Sequence, residues 1–210
     1  MAEDEKITDE EKILAAMVYG ESSSTDNIDE KKAIASVLVR QMKSRGYSTM
    51  DAFTKGEKTY AFIVSDGNVR YTLLIKSSDK EIHDNTAMSN ALLAARNAIA
   101  GGEDLSNGAY FWDGADIKSN YSKHFKVSHG IKFTNPGHNI YNIKESTKIV
   151  QKTKTKTIKK KVNGKTVTKK ETVVIDSYDH VYDSTAAYGG TIFWKNNPEY
   201  IRISKGKEYK

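Results

Sequence analysis

Thr8-Asp-Glu-Glu-Lys-Ile-Leu-Ala-Ala-Met-Val-Tyr-Gly-Glu21 is the run around which the rest of the chain can be organised. Thr8 and Glu11 stand at capping-box spacing, and Ile13, Leu14, Met17 and Val18 recur at helical period. The pattern therefore predicts a helix from about Asp9 to Val18 with one buried face, stopping at Gly20. Glu21 follows directly, so its carboxylate is expected where a core helix meets the surface, with Tyr19 close by. A carboxyl against apolar walls loses hydration, which favours its neutral form and raises its pKa. That suits a general acid able to protonate a leaving oxygen near neutral pH. The competing local reading is a solvated loop glutamate.

The polar loop Ser-Ser-Ser-Thr-Asp-Asn leads to a second helix from about Asp29 to Ser44. It carries Ala33, Ile34, Val37, Leu38 and Met42 on one face, with Gly46 behind it. Ser48 and Asp51 open a short helix reaching Phe53. Tyr60 to Val64 and Val69 to Ile75 read as apolar runs flanking Asp66-Gly67, as in a hairpin. The Ala-rich run from Thr86 to Ala100 is the strongest helix, with Met88, Leu92, Ala95 and Ile99 on one stripe and Gly101-Gly102 closing it. Beyond it, Gly108 to Asp113, Ile131 to Thr134 and His138 to Ile143 are short, aromatic-rich runs expected as strands. So are Tyr188 to Trp194 and Tyr200 to Ile203. Between these groups, Lys alternates with Thr and aliphatic residues on both sides of Asn163-Gly164, which predicts a long two-stranded ribbon.

The chain has 210 residues, enough for one domain or one domain with a large insertion. With 38% hydrophobic and 29% charged residues, 2 Pro and 14 Gly, it is not collagen-like, Pro-rich or wholly disordered. The absence of Cys excludes disulfides, Cys-ligated metals and a thiol nucleophile. Its acidic start, Met-Ala-Glu-Asp-Glu-Lys, lacks the features of a secretory signal, and no run approaches the ~20 apolar residues of a membrane span. The expectation is a protein made in the cytoplasm that reaches any outside target by a non-classical route or on host lysis.

Net charge is +6, and its position matters more than its sum. Glu145 to Ile175 holds ten lysines against two glutamates. The remainder holds 23 basic and 25 acidic residues and is nearly neutral. The basic character belongs to the ribbon, so it bears on an anionic partner rather than on chemistry at Glu21. Aromatic interleaving is missing there, which disfavours nucleic acid, and a plainer reading is that lysines keep an exposed ribbon soluble and unpaired at its edges.

Three segments, Ile13 to Ser22, Lys32 to Lys43 and Ala91 to Phe111, followed by Gly137-His-Asn-Ile-Tyr141, resemble in order the opening helix, second helix, Gly-rich strand and closing motif of SleB/CwlJ-type cell-wall hydrolases. The likeness spans about Glu11 to Ile143. Ser-Ser-Ser stands where that family has Arg-Gly-Glu after the Glu, Val39-Arg40 stands for Asn-Arg, and the ribbon has no counterpart. The resemblance implies a lysozyme-like body, which with the strands and ribbon read from the residues gives the expectation of an α+β, mainly helical fold with a small sheet and a long basic β-hairpin insertion. It also implies an essential Glu at Glu21 and cleavage of the MurNAc–GlcNAc β-1,4 bond of peptidoglycan. The corresponding division of the chain is a catalytic body over 1–143, the insertion over 144–176, and C-terminal strands over 177–210 that pack back on the body.

One strong carboxylate suits a lytic transglycosylase, in which Glu21 serves first as acid and then as base. A hydrolytic muramidase would ordinarily need a second carboxylate. Glu30 and Asp113 are the candidates, with Asp66 behind them. The Glu-Asp-Thr spacing of phage-type lysozymes falls on Glu30 and Ser36, residues of other types in or beside the second helix. Glycan strands are amphipathic, so Tyr110, Trp112, His138, Tyr141 and Ser22 are the candidate substrate-binding residues. Tyr110 and Trp112 share a strand face opposite Phe111, although ordinary core packing explains the aromatic residues equally well. No pair among His83, His124, His129, His138 and His180 stands at a recognised metal spacing, so neither a metal nor another cofactor is expected. A wall-cleaving enzyme without a signal fits a phage-type lysin or a secreted antibacterial toxin, and the latter implies a cognate immunity protein. The alternative class is an inactive binding module acting through the basic hairpin.

Overall fold

A computed structural model describes residues 6–57 and 67–209. Its mixed α+β architecture opens with α1 (Asp9–Glu21), α2 (Ile28–Ser44) and α3 (Met50–Gly56). The Thr8 hydroxyl accepts from the Glu11 amide while the Glu11 carboxylate accepts from the Thr8 amide, so α1 starts on a complete capping box. Asn27 caps α2 through its side chain. Three further helices follow, α4 (Val69–Lys76), α5 (Asp79–Asp84) and α6 (Thr86–Ile99).

These helices enclose the larger core. Leu14, Met17, Ile34, Leu38 and Leu92 are essentially sealed from water, together with Phe53 of α3, Leu74 of α4 and Ile82 of α5. Ala91, Ala94, Ala95 and Ala98 make α6 narrow enough for α1 and α2 to approach it closely. Each large aliphatic side chain buried this way contributes ~1.5–3 kcal/mol of hydrophobic transfer free energy.

The second half begins with β1 (Phe111–Asp113), α7 (Asp116–Ser119), α8 (Phe125–His129) and β2 (Ile131–Lys132). It continues with β3 (Val150–Val162), β4 (Lys165–Tyr178), β5 (Tyr182–Tyr188), β6 (Thr191–Asn196) and α9 (Pro198–Ser204). One sheet has the order β1-β6-β5-β2, antiparallel except for the β5–β2 pair. Alternation along its strands splits the side chains between two cores. Trp112, Ala186 and Phe193 join the helical core, whereas Phe111, Tyr182, Ile192 and Trp194 join a second cluster with Ile117, Val127, Ile131 and Ile143. The last strands in sequence are thus the middle strands of the sheet.

β3 and β4 pair only with each other, antiparallel, through the Asn163-Gly164 turn, where both residues have positive φ, 51° and 77°. Two positive φ values match the right-handed twist of the flanking strands. At the base of this ribbon the Lys148 amide donates to the Asp179 carbonyl at 2.6 Å. Tyr178 packs edge-on against Tyr200 of α9, and Arg202 pairs with Asp176.

Three sequence expectations are corrected. Val69 to Ile75 forms helix α4 rather than a hairpin arm: the Asn68 side chain accepts from the Tyr71 amide, and Leu74 is buried with Tyr71 and Ile75 beside it at helical spacing. Its proposed partner strand, Tyr60 to Val64, lies outside the described residues, as does Asp66. His138 to Ile143 is a 3-10 turn at Pro136–His138 followed by a loop that turns at Asn142, φ 50°. Tyr200 to Ile203 lies in α9, started by the Asn197 cap and Pro198 at the first helical position.

Candidate functional site

Glu21 is the last residue of α1, half-buried, with Ser22 as the C-cap. Burial raises its pKa above the ordinary 4.5, and the Trp112 indole N–H, donating to the carboxylate, opposes that shift without cancelling it. Its place at a helix C-terminus, where the aligned peptide dipoles present negative charge, also favours the protonated acid. The last turn of α1 holds no basic residue. This corner therefore holds a partly desolvated carboxyl whose neutral form is favoured relative to a free glutamate, with an indole hydrogen-bonded to it.

Two side chains clamp the end of α1. The Arg70 guanidinium donates to the Ser22 carbonyl at 2.5 Å and to the Ser23 carbonyl at 3.3 Å, and it lies 4.2 Å from the centroid of the Tyr19 ring. The Asn68 amide donates to the Gly20 carbonyl at 3.2 Å. Sequence reading missed both because it placed them in a hairpin; the Asn-Val-Arg order before an apolar run is a helix-start signal that could have found them. Behind the clamp, Lys31 is fully buried, ion-paired to Asp26, and donates to the Ala87 carbonyl at 2.8 Å. Burial first, and Arg70 second, lower its pKa to about 8.

Glu30 sits next to this corner as a buried hub. Its carboxylate accepts from the Ser23 hydroxyl at 2.6 Å, the Ser23 amide at 3.3 Å, the Thr191 hydroxyl at 2.6 Å and the Gly190 amide at 3.3 Å. Gly189 has φ 56°, and a Cβ there would lie 2.6 Å from the Glu30 carboxylate, so the turn before β6 needs glycine on two counts. Tyr141 donates from its hydroxyl to the Gly190 carbonyl, completing the cluster. Burial, with a smaller contribution from Glu30, holds the Tyr141 phenol above its usual pKa.

Of the sequence candidates, Glu21, Ser22, Trp112, Glu30 and Tyr141 thus converge on the α1–α2 corner and the β5–β6 turn. Tyr110 lies against Arg40, 5.6 Å from its ring centroid, and Tyr209 at 6.0 Å, and it lines a hollow of ~660 Å³ with Arg45, Glu57 and Lys207. Its described neighbours do not include Glu21. His138 bonds through Nδ1 to the Ser184 hydroxyl at 2.9 Å, tying its loop to β5, and burial lowers its pKa.

Asp113 lies across the strand from Trp112 and pairs with Lys126 at 2.8 Å and His124 at 3.4 Å. With Asp116 these residues bring three metal-type ligand atoms within 4.8 Å of one another, a grouping invisible to His spacing because two of the three are carboxylates. The Lys126 ammonium already occupies the Asp113 oxygen that faces His124, and the Asp113 hydrogen bond raises the His124 pKa toward its charged form. Lys126 and His124 share one Asp113 oxygen, Oδ1, while the other, Oδ2, is buried and accepts no hydrogen bond from the described residues. No helix among the described residues is long and apolar enough to cross a membrane.

No protein-family model, curated protein or solved structure matches the chain.

Proposed function

We propose that this protein cleaves peptidoglycan glycan strands at the MurNAc–GlcNAc β-1,4 bond as a lytic transglycosylase, with Glu21 as the single acid and base on a lysozyme-like body. The observation that carries the reading is a carboxyl at the end of a buried helix, its pKa raised by burial and its position fixed by the Trp112 indole. In the first step the Glu21 proton passes to the leaving O4 as the C1–O4 bond breaks. In the second, the C6 hydroxyl of the same muramic acid bonds to C1 and its proton returns to Glu21. No water is consumed, and the acid is regenerated.

The state of the other carboxylates favours this route over hydrolysis. Glu30 is engaged by Ser23, Gly190 and Thr191, and Asp113 is neutralised by Lys126 on the opposite face of β1. A muramidase reading keeps one support, because Glu30 shares the corner of Glu21; it requires Glu30 to release its donors and orient water. Digestion of purified peptidoglycan followed by mass spectrometry separates the two. Products ending in 1,6-anhydromuramic acid are expected, and reducing ends would replace the transglycosylase reading by the muramidase one. Full activity in Glu21→Gln would remove both.

Delivery belongs to the same proposal. A wall-cleaving enzyme of this kind acts in the periplasm or wall as a lysin or antibacterial toxin, and a toxin needs an immunity protein in its producer. Toxicity on periplasmic expression, with none in the cytoplasm, is the expected pattern.

A further inference from the structure

The ribbon formed by β3 and β4 has two faces of different chemistry. In an antiparallel pair, residues directly opposite each other share a face, and beyond the irregularity at Lys152/Thr153 the register is unbroken. One face carries the pairs Lys154↔Val173, Lys156↔Glu171, Ile158↔Lys169, Lys160↔Val167 and Val162↔Lys165. Four of these five couple a lysine to a branched aliphatic side chain. The other face carries Thr153↔Val174, Thr155↔Thr172, Thr157↔Lys170, Lys159↔Thr168 and Lys161↔Thr166, six threonines and three lysines with a single aliphatic residue, Val174. The strands extend for about 40 Å by their length, and Val162 and Val167 remain 53% and 49% exposed.

Solubility accounts for the lysines, which both faces carry, but not for four aliphatic side chains gathered on one face against one on the other. A soluble polyanion does not account for it either, because phosphate recognition has no use for aliphatic side chains, exposed at Val162 and Val167 and half-buried at Ile158 and Val173, set between the ammonium groups. A bilayer with anionic lipids meets both halves: aliphatic side chains enter the acyl boundary while lysine stems lie along it and their ammonium groups reach the phosphates. We propose that the Lys/aliphatic face of this ribbon docks the protein on the surface of an anionic phospholipid membrane. The docking uses no residue of the Glu21 corner and stands or falls separately from the proposed cleavage.

The test is sedimentation of the full-length protein with vesicles of phosphatidylcholine alone and of phosphatidylcholine with phosphatidylglycerol. Binding only to the anionic vesicles is expected, at the same strength in Glu21→Gln. Replacing Ile158, Val162, Val167 and Val173 together by Thr keeps every charge and the strand propensity, and should weaken binding more than about tenfold, leaving a remnant that salt removes. A second readout works on single changes: fluorescence of Val167→Trp should shift to the blue on anionic vesicles, and that of Thr168→Trp, on the other face, should not. Equal binding by the threonine variant, equal shifts at 167 and 168, or tighter capture of a soluble polyglycerol phosphate than of the vesicles would each overturn the proposal.

Discussion

The α1–α2–α6 bundle and the β3–β4 ribbon solve opposite problems. The bundle hides most of its aliphatic side chains, with Leu93 and Ile99 of α6 left exposed against the sequence expectation for Ile99, and uses polar groups for caps and clamps. The ribbon joins its two strands across thirteen paired positions and leaves their outer edges, and most side chains on both faces, to solvent. Chemistry that depends on a perturbed carboxyl needs the first kind of surroundings, because desolvation is what raises the Glu21 pKa. Recruitment to a charged surface needs the second kind, because exposed lysine side chains keep their reach.

The largest expected contrast is in turnover. Glu21→Gln should lower muropeptide release by about 10²–10⁴-fold with an unchanged circular dichroism spectrum, while Lys159→Gln with Lys161→Gln leaves turnover on soluble glycan fragments unaltered. Loss of turnover in the ribbon variant would break the separation of the two regions.

Stability should divide along the same line. Phe193→Ala, in the helical core, is expected to cost ~3–5 kcal/mol in urea denaturation, and Val167→Ala, on the ribbon, no more than ~0.5 kcal/mol. Glu30→Ala leaves the Ser23 and Thr191 hydroxyls and the Gly190 amide without their acceptor, at ~2–4 kcal/mol. A near-neutral Glu30→Ala would mean that the hub does not hold the β5–β6 turn to α2.

The smallest effects lie in pH dependence. Glu21 has its folded pKa raised, so its folded form binds protons that the unfolded chain has released. Its contribution to stability is complete below about 4.5 and is lost as pH rises through the folded value. Thermal melts of wild type and Glu21→Gln should therefore diverge between pH 4 and pH 7, the variant becoming the more stable. His180, at the ribbon base, is raised chiefly by its hydrogen bond to Asp183 and then by Asp179. Its contribution is present below 6.5 and fades as pH climbs through the raised value, and His180→Asn should flatten that slope. Melts of wild type and His180→Asn from pH 6 to 8 measure the second window apart from the first.

The helices around the site were legible because their signals are local. The Thr8–Glu11 box, the apolar stripe of α2 and the alanines of α6 each lie within a few turns of chain. The two-residue turn at Asn163-Gly164 is equally local. The hub and clamp were not legible, because Glu30 meets Gly190 and Thr191 across the length of the chain, and Arg70 meets Ser22 from a segment whose short apolar run fits a strand as well as a helix. Tyr110 shows the limit of strand alternation: the rule names which residues share a face, while the neighbours along that face, here Arg40 and Tyr209, come from elsewhere in the sequence.

The strand order has a consequence for how the chain emerges from the ribosome. β1 hydrogen-bonds to β6, and β6 is translated only after the whole ribbon. At ~5–20 residues per second, β1 and the helical face that awaits Phe193 stay uncovered for several seconds. What the ribosome emits during that wait is the lysine-rich, strongly hydrated segment, whose like charges discourage neighbouring nascent chains from pairing with the open edge.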